Sequence, residues 1–164
     1  MTQFDKDYIV GKQSEQESLP ILNQIFETDL FHDEDDFAHF DFFNNNFMVE
    51  LKTRFNTWFN AETDQFFTET KTGRIIEIDT LYFDSPKLQM AYQNIKKGCK
   101  KDYYVVWRLK NNQFYYWKMN WKGESQNRID FYIEGQNRDC GHGYKQPRDV
   151  VNVRVNALSL FTSP

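Results

Sequence analysis

Apolar residues return at helical spacing early in the chain. Leu19, Leu22, Ile25 and Phe26 fall on one side of a helix within residues 14–30. Pro20 is tolerated only near a helix start, so either the helix begins around Ser18 or a helix from Ser14 is kinked there. The polar residues 1–13 read as a loose N-terminal arm, and 32–36 as a charged loop. Alternation then takes over in 37–44 and 47–54, two strand-like segments joined by Asn45-Asn46. Asparagine accepts positive φ, so this dipeptide predicts a two-residue hairpin turn. Residues 55–74 predict a loop excursion with short strands, and 74–83 begin as a strand. Ser85-Pro86 caps a helix over 87–97 that Gly98 stops. A second hairpin follows, 103–110 and 113–121 about Asn111-Asn112, then a last strand at 150–155 and a terminal turn or helix at 156–161. The order is helix, hairpin, helix, hairpin. It predicts one α/β (α+β) domain over residues 1–164, a mixed central sheet flanked by helices.

The first hairpin carries a register argument. A two-residue turn pairs Asn44 with Phe47, which sets Phe43 against Met48, Phe42 against Val49, Asp41 against Glu50 and His39 against Lys52. Side chains alternate across a strand, so Asp41, Glu50, His39 and Lys52 share one face. Phe40, Phe42, Val49 and Leu51 share the other, which is wholly apolar.

Composition fits this picture. The chain has 164 residues, 40% hydrophobic and 27% charged, with 16 Phe, 9 Tyr and 4 Trp to build a core. No stretch approaches the roughly 18 apolar residues of a membrane span. The N-terminus lacks a basic-then-apolar leader pattern. Two cysteines, Cys99 and Cys140, make no disulfide framework, so an intracellular, reducing location is expected. The net charge of −4 hides an asymmetry: residues 1–41 hold two lysines against eleven acids, and residues 85–128 hold ten Lys or Arg against two acids. Two solvated faces of opposite sign account for this, as does a cation site beside a polyanion site.

Two carboxylates directly opposite one another, with Cβ atoms about 5 Å apart, repel. A divalent cation between them removes the penalty, and Mg²⁺ suits a site that offers few carboxylates and leaves room for water and phosphate oxygens. Lys52, two residues from Glu50 on the same face, is placed to orient or deprotonate an attacking water or to stabilise charge on phosphorus. Two acids, a metal and a lysine form a minimal phosphodiester-hydrolysing set.

Asp41, eight intervening residues and Glu50-Leu51-Lys52 resemble the core motif of the PD-(D/E)XK nuclease superfamily, which includes restriction enzymes and Holliday-junction resolvases. The resemblance covers roughly residues 14–110. It implies a restriction-endonuclease-like fold and a Mg²⁺- or Mn²⁺-dependent endonuclease acting on nucleic acid, DNA first and RNA as the alternative. It also implies a further metal-binding acid on the first helix, where Glu15-x-x-Ser18-Leu19-x-x-Leu22 matches and Glu17 is second choice. Phe40 replaces the motif's proline, and the segment between Arg54 and Lys87 is longer than in the smallest members. Gln89-Met90-Ala91-Tyr92 lacks the glutamine-to-tyrosine spacing of the exonuclease branch. Many such nucleases act as dimers, which makes a homodimer a candidate assembly.

Other residues have plainer readings. The 87–97 helix is an ordinary amphipathic helix in which Lys87, near its start, is a candidate phosphate contact. Lys96, Lys97, Lys100 and Lys101 form a basic patch able to follow a nucleic-acid backbone or simply to be solvated. The aromatics of 113–121 are expected in the core, Cys140-Gly141-His142 in a polar loop, and His32 in solvent. A non-catalytic nucleic-acid-binding or assembly protein is the rival function.

Overall fold

In a computed structural model of the chain, the described residues are 1–35, 40–119, 130–139 and 145–161. Helix α1 spans Gln3–Phe26, followed by strands β1 (Phe31–His32), β2 (Phe42–Phe43), β3 (Phe47–Arg54), β4 (Thr57–Asn60), β5 (Gln65–Glu69), β6 (Ile75–Ile78) and β7 (Thr80–Asp84). Helix α2 spans Ser85–Lys96. Then come β8 (Asp102–Leu109), β9 (Phe114–Lys118), β10 (Phe131–Asp139), β11 (Lys145–Arg154) and β12 (Ser159–Phe161). The mixed α+β class is as the pattern predicts. No helix among the described residues is long and apolar enough to cross a membrane.

Six strands form the central sheet in the order β1-β2-β3-β8-β9-β12. Only β3 and β8 run parallel, and that pairing needs a long crossover, which β4 to β7 and α2 supply. Each face of this sheet has its own core. Val49, Leu51, Val106 and Phe114 face α1, where they meet Leu22 and the half-buried Leu19, Ile25 and Phe26. Val105, Trp107, Tyr115 and Trp117 face the other way, against Leu81 and Phe83 of β7, Leu88 and Ala91 of α2, and Val151 and Val153 of β11. With both faces covered, β8 reads as a nearly continuous apolar run rather than an alternation. The aromatics of β9 are core residues, as expected.

Strands β10-β11-β7 form a second, antiparallel sheet beneath that face, tied on by Trp107 Nε1, which donates to the Tyr82 carbonyl at 3.0 Å. Strands β4-β5-β6 form a third, replacing the expected loop excursion with an antiparallel meander. Its alternation is obscured because Phe59 and Phe66 pack on Tyr115 while Trp58 and Phe67 stack with each other on the other side.

The N-terminus departs from expectation. Residues 1–13 are not a loose arm: the helix begins at Gln3, because Thr2 and Asp5 form a reciprocal capping box. The signal is Thr2-x-x-Asp5, with aspartate standing where Glu or Gln is usual. The helix continues through Pro20, which lies on the exposed side together with Gln16, so the carbonyl that loses its donor is on the exposed side. The first ten residues are exposed throughout.

Candidate active site

The site is built where a strand stops short. Strand β2 pairs with β3 in the predicted register, Phe42 against Val49 and Phe43 against Met48. The Asn45-Asn46 turn is held by the Asn44 side chain, which accepts from the Asn46 and Phe47 N–H groups at 2.8 Å each. The strand expected over 37–44 is described only at Phe42–Phe43, and residues 36–39, including His39, lie outside the described residues. The chain bends at Phe40 and Asp41. Phe40 consequently does not share a face with Phe42, Val49 and Leu51. It crosses to the α2 side, where it packs against Tyr103.

Among the described residues, the bend leaves the β2-facing edge of β3 without a strand partner beyond Val49, while its other edge stays paired with β8. Leu51 N–H, which points toward β2, is taken instead by the Asp41 carboxylate at 2.8 Å. Glu50 and Lys52 stand in register with Val105 and Trp107, so they project to the α2 side. Glu50 is 4% exposed. Its Oε1 meets Lys52 Nζ at 3.0 Å, and Lys87 Nζ lies 3.5 Å from Oε2. Among the described residues that second oxygen is buried with no hydrogen-bond partner.

Helix α1 adds a third carboxylate from the open edge. Ser14, Ser18 and Leu22 form its buried ridge. At about 100° per residue, Glu15 and Glu17 leave opposite flanks of that ridge. Glu15 lines the same 620 Å³ cleft as Asp41, Glu50 and Lys52, together with Arg54, Lys71 and Tyr82. Glu17 turns away and pairs with Arg108 at 2.9 Å. The second choice for the helix acid therefore sits outside the cleft, and its carboxyl is held below the usual range by hydrogen bonds from Arg108 and Gln13.

His32 is not solvated. Its ring packs 5.2 Å from that of Phe42, and Nε2 lies 2.7 Å from Glu15 Oε2. A two-residue strand gives too short a pattern for this placement to be read from sequence.

Electrostatically the cleft is a crowded acid site. Burial pushes the Asp41 carboxyl well above its ordinary range, and the negative charges of Glu50 and then Glu15 push it further. The Leu51 N–H and Lys52 act in the opposite direction and lose. Among the described residues no three His, Cys, Asp or Glu side chains converge closely enough to hold an ion as they stand. The chemistry of the donor set nevertheless suits a hard divalent cation: the acids are oxygen donors, they repel one another, and one buried oxygen of Glu50 lacks a hydrogen bond.

The predicted basic set divides. Lys87, at the start of α2, belongs to this cleft through Glu50 and lies 5.5 Å from the centre of the Phe40 ring. Lys96 ends α2 and Lys97 caps it, roughly 15 Å further along the helix axis. Lys100 and Lys101 lead into β8, where Lys101 Nζ is 4.0 Å from Met48 Sδ. The residues sequence reasoning did not single out include Asp7, Arg54, Lys71 and Tyr82, which line the cleft from α1, the end of β3, the β5–β6 turn and β7. Arg54 had a usable signal, since it continues the even-numbered face of Glu50 and Lys52. The fragment Cys140-Gly141-His142 lies outside the described residues.

Comparison with protein-family models, curated proteins and solved structures finds no match to this chain.

Proposed function

We propose that the chain is a metal-dependent endonuclease that hydrolyses phosphodiester bonds, in DNA first, with a PD-(D/E)XK-like site on a restriction-endonuclease-like fold. The observation that carries this reading is the convergence of Asp41, Glu50, Lys52 and Glu15 on one cleft from three separate segments. A merely solvated sheet face has no reason to bury Glu50 or to raise the Asp41 carboxyl through two further acids. The order of helix, hairpin and crossover to a parallel strand supports the fold assignment.

In this reading Asp41 and Glu50 hold Mg²⁺ or Mn²⁺, with Glu15 assisting. The cation, when bound, supplies Lewis-acid stabilisation of a phosphoryl oxygen and acidifies a water. Lys52 would orient the attacking water, give up its own proton first if it is to accept one, and as an ammonium stabilise the negative charge gathering on the phosphoryl oxygens. The Leu51 N–H fixes the Asp41 carboxylate, so one acid is aimed before any ligand arrives. His32 fixes Glu15 in the same way. Lys87 balances the second oxygen of Glu50 and is placed to meet a substrate phosphate. Lys96, Lys97, Lys100 and Lys101 serve as a separate, more distant backbone contact.

One observation favours a second reading. Lys52 and Lys87 already neutralise Glu50, as in a non-catalytic nucleic-acid-binding or assembly protein that has lost its metal. Incubating the protein with duplex, branched and single-stranded DNA and with RNA, with and without Mn²⁺, separates the readings. Mn²⁺-dependent cleavage that Asp41→Ala, Glu50→Ala and Lys52→Ala each abolish is expected. Cleavage retained in all three variants would overturn the site, and no cleavage of any substrate would favour the second reading.

A further inference from the structure

Beyond the acids the cleft opens onto an aromatic face. Tyr82 of β7, Asn152 of β11 and Tyr132 of β10 stand abreast across the second sheet, Asn152 being paired with both tyrosines. Residues in register share a face, and two strand spacings place the two tyrosine Cα atoms roughly 10 Å apart. Both rings are open to solvent, Tyr82 at 42% and Tyr132 at 40% exposure. Of the residues on either side of them in sequence, Leu81, Phe83 and Phe131 are core, whereas Ile133 is itself 52% exposed.

Each ring carries an arginine. Arg54 Cζ lies 5.0 Å from the Tyr82 ring centre, and Arg154 Cζ lies 5.0 Å from that of Tyr132. Between them Asn152 is 5% exposed, and among the described residues its amide nitrogen has no hydrogen-bond partner. Tyr82 and Arg54 also line the cleft that holds Asp41 and Glu50. The same pair continues into an adjoining 350 Å³ cavity with Lys52 and Arg148. The acid on that cavity wall, Asp84, is engaged by Arg148 at 2.9 Å. Among the described residues, Asp130 and Glu134, two residues before and two beyond Tyr132, are further acids near that ring.

Exposed aromatic faces flanked by guanidinium groups match one ligand chemistry well. Unpaired bases stack on the rings, irrespective of sequence, and the arginines meet the phosphates between them. A duplex offers its phosphates but keeps its base faces stacked inside. We infer that the Tyr82–Asn152–Tyr132 face is a docking platform for an unpaired nucleic-acid strand that leads into the acid cleft. The inference rests on the proposed nuclease reading for its direction, since the strand ends at Glu50 and Asp41, but its test is binding alone.

Fluorescence anisotropy in EDTA, where hydrolysis is switched off, compares labelled oligo(dT), oligo(U) and a duplex of equal length. Single strands are expected to bind more tightly than the duplex. Tyr82→Ala and Tyr132→Ala should each weaken single-strand binding about tenfold and leave duplex binding unchanged. Tyr82→Phe and Tyr132→Phe keep the ring and should bind as the unmodified protein does. Arg54→Ala and Arg154→Ala should each flatten the salt dependence. Preference for oligo(dT) or oligo(U) identifies the strand as DNA or RNA, and either result supports the platform.

Duplex binding equal to single-strand binding would overturn it. So would alanine variants that bind normally, or phenylalanine variants that fail as badly as alanine. Both rings are exposed, so melting temperatures close to that of the unmodified protein should exclude misfolding. Tyrosine-dependent strand binding without cleavage would leave the platform standing and remove the nuclease reading. Cleavage without tyrosine-dependent binding would do the reverse.

Discussion

Glu15 and Glu17 leave neighbouring positions of α1 and enter opposite electrostatic surroundings. Glu17 faces Arg108, which is only 7% exposed. That guanidinium donates to Glu17 at 2.9 Å, to Ser14 at 3.0 Å and to Asn112 at 2.8 and 3.1 Å, and lies over the rings of Phe55 and Phe114. Ser14 in turn accepts from Thr53 at 2.6 Å. A single buried cation is surrounded by acceptors, which is how a structural charge is kept inside a protein. On the other flank Glu15 joins Asp41 and Glu50; Lys12 meets Glu15 at 3.7 Å and Lys52 and Lys87 meet Glu50, yet among the described residues one buried Glu50 oxygen has no hydrogen bond. A charge cluster that serves the fold completes its own hydrogen bonds. One that costs stability and leaves an acceptor open points to a ligand.

The sharpest way to break this contrast is to neutralise each cluster in turn. Asp41→Asn, Glu50→Gln and Lys52→Met should each lower cleavage on the order of a hundredfold or more, measured as initial rates in Mn²⁺. The melting temperatures of Asp41→Asn and Glu50→Gln should not fall, whereas Lys52→Met, which leaves the buried Glu50 with one cation fewer, should be compared as a rate per folded molecule. Arg108→Met should do the opposite, destabilising the protein by about 3 kcal/mol in urea titrations, because it removes the cation that joins α1 to β8. Its cleavage rate per folded molecule should stay near that of the unmodified protein. If Arg108→Met stopped cleavage without unfolding, the division into structural and functional clusters would fail.

Next in size is the comparison of the two glutamates. Glu15→Gln should slow cleavage roughly tenfold, as expected for an assisting ligand, and Glu17→Gln should leave it unchanged. Equal losses would place the helix acid wrongly.

The smallest effect is a pH dependence in metal-free buffer. At low pH Asp41 is protonated in both folded and unfolded chains, so it costs nothing. As pH rises through the ordinary aspartate range, the unfolded chain releases its proton while the folded site, whose carboxyl is pushed up by burial and by Glu50, keeps it. Stability from this group is therefore lost as pH rises toward the raised value. Asp41→Asn lacks that loss. Its melting temperature should converge on that of the unmodified protein as pH falls below the ordinary aspartate range and exceed it near pH 7. A difference independent of pH would mean that Asp41 is not under strain.

Much of this organisation is visible in the residue pattern, and the exceptions have physical causes. The first hairpin register, the crossover helix and the β8–β9 pairing were legible because alternation or helical spacing runs unbroken there and asparagines mark the turns. Asn111 and Asn112 do adopt positive φ, at 63° and 54°, but in a three-residue loop, Lys110–Asn112, that closes Leu109 on Gln113; Asn45 and Asn46 do not, and the first turn is held by the Asn44 side chain instead. Phe40 was misplaced because its apolar character fits either core, and only the bend after it decides which. The three-stranded meander was hidden by short strands with aromatics on both sides. Glu15 over Glu17 was suggested by motif spacing, but the physical reason is the buried Ser14–Ser18–Leu22 ridge, which places the two acids on opposite flanks. His32 and the Tyr82–Tyr132 face come from pairings between segments distant in the chain, which no local pattern encodes.

The proposed nuclease function requires that Asp41 and Glu50 bind a divalent cation. Calorimetric titration of Mn²⁺ into the unmodified protein and into Asp41→Asn addresses it without any substrate. A saturable site in the unmodified protein, weakened tenfold or more in Asp41→Asn and accompanied by proton release that the variant lacks, is the predicted result. Absence of Mn²⁺ binding, or binding that survives the substitution undiminished, would contradict the account.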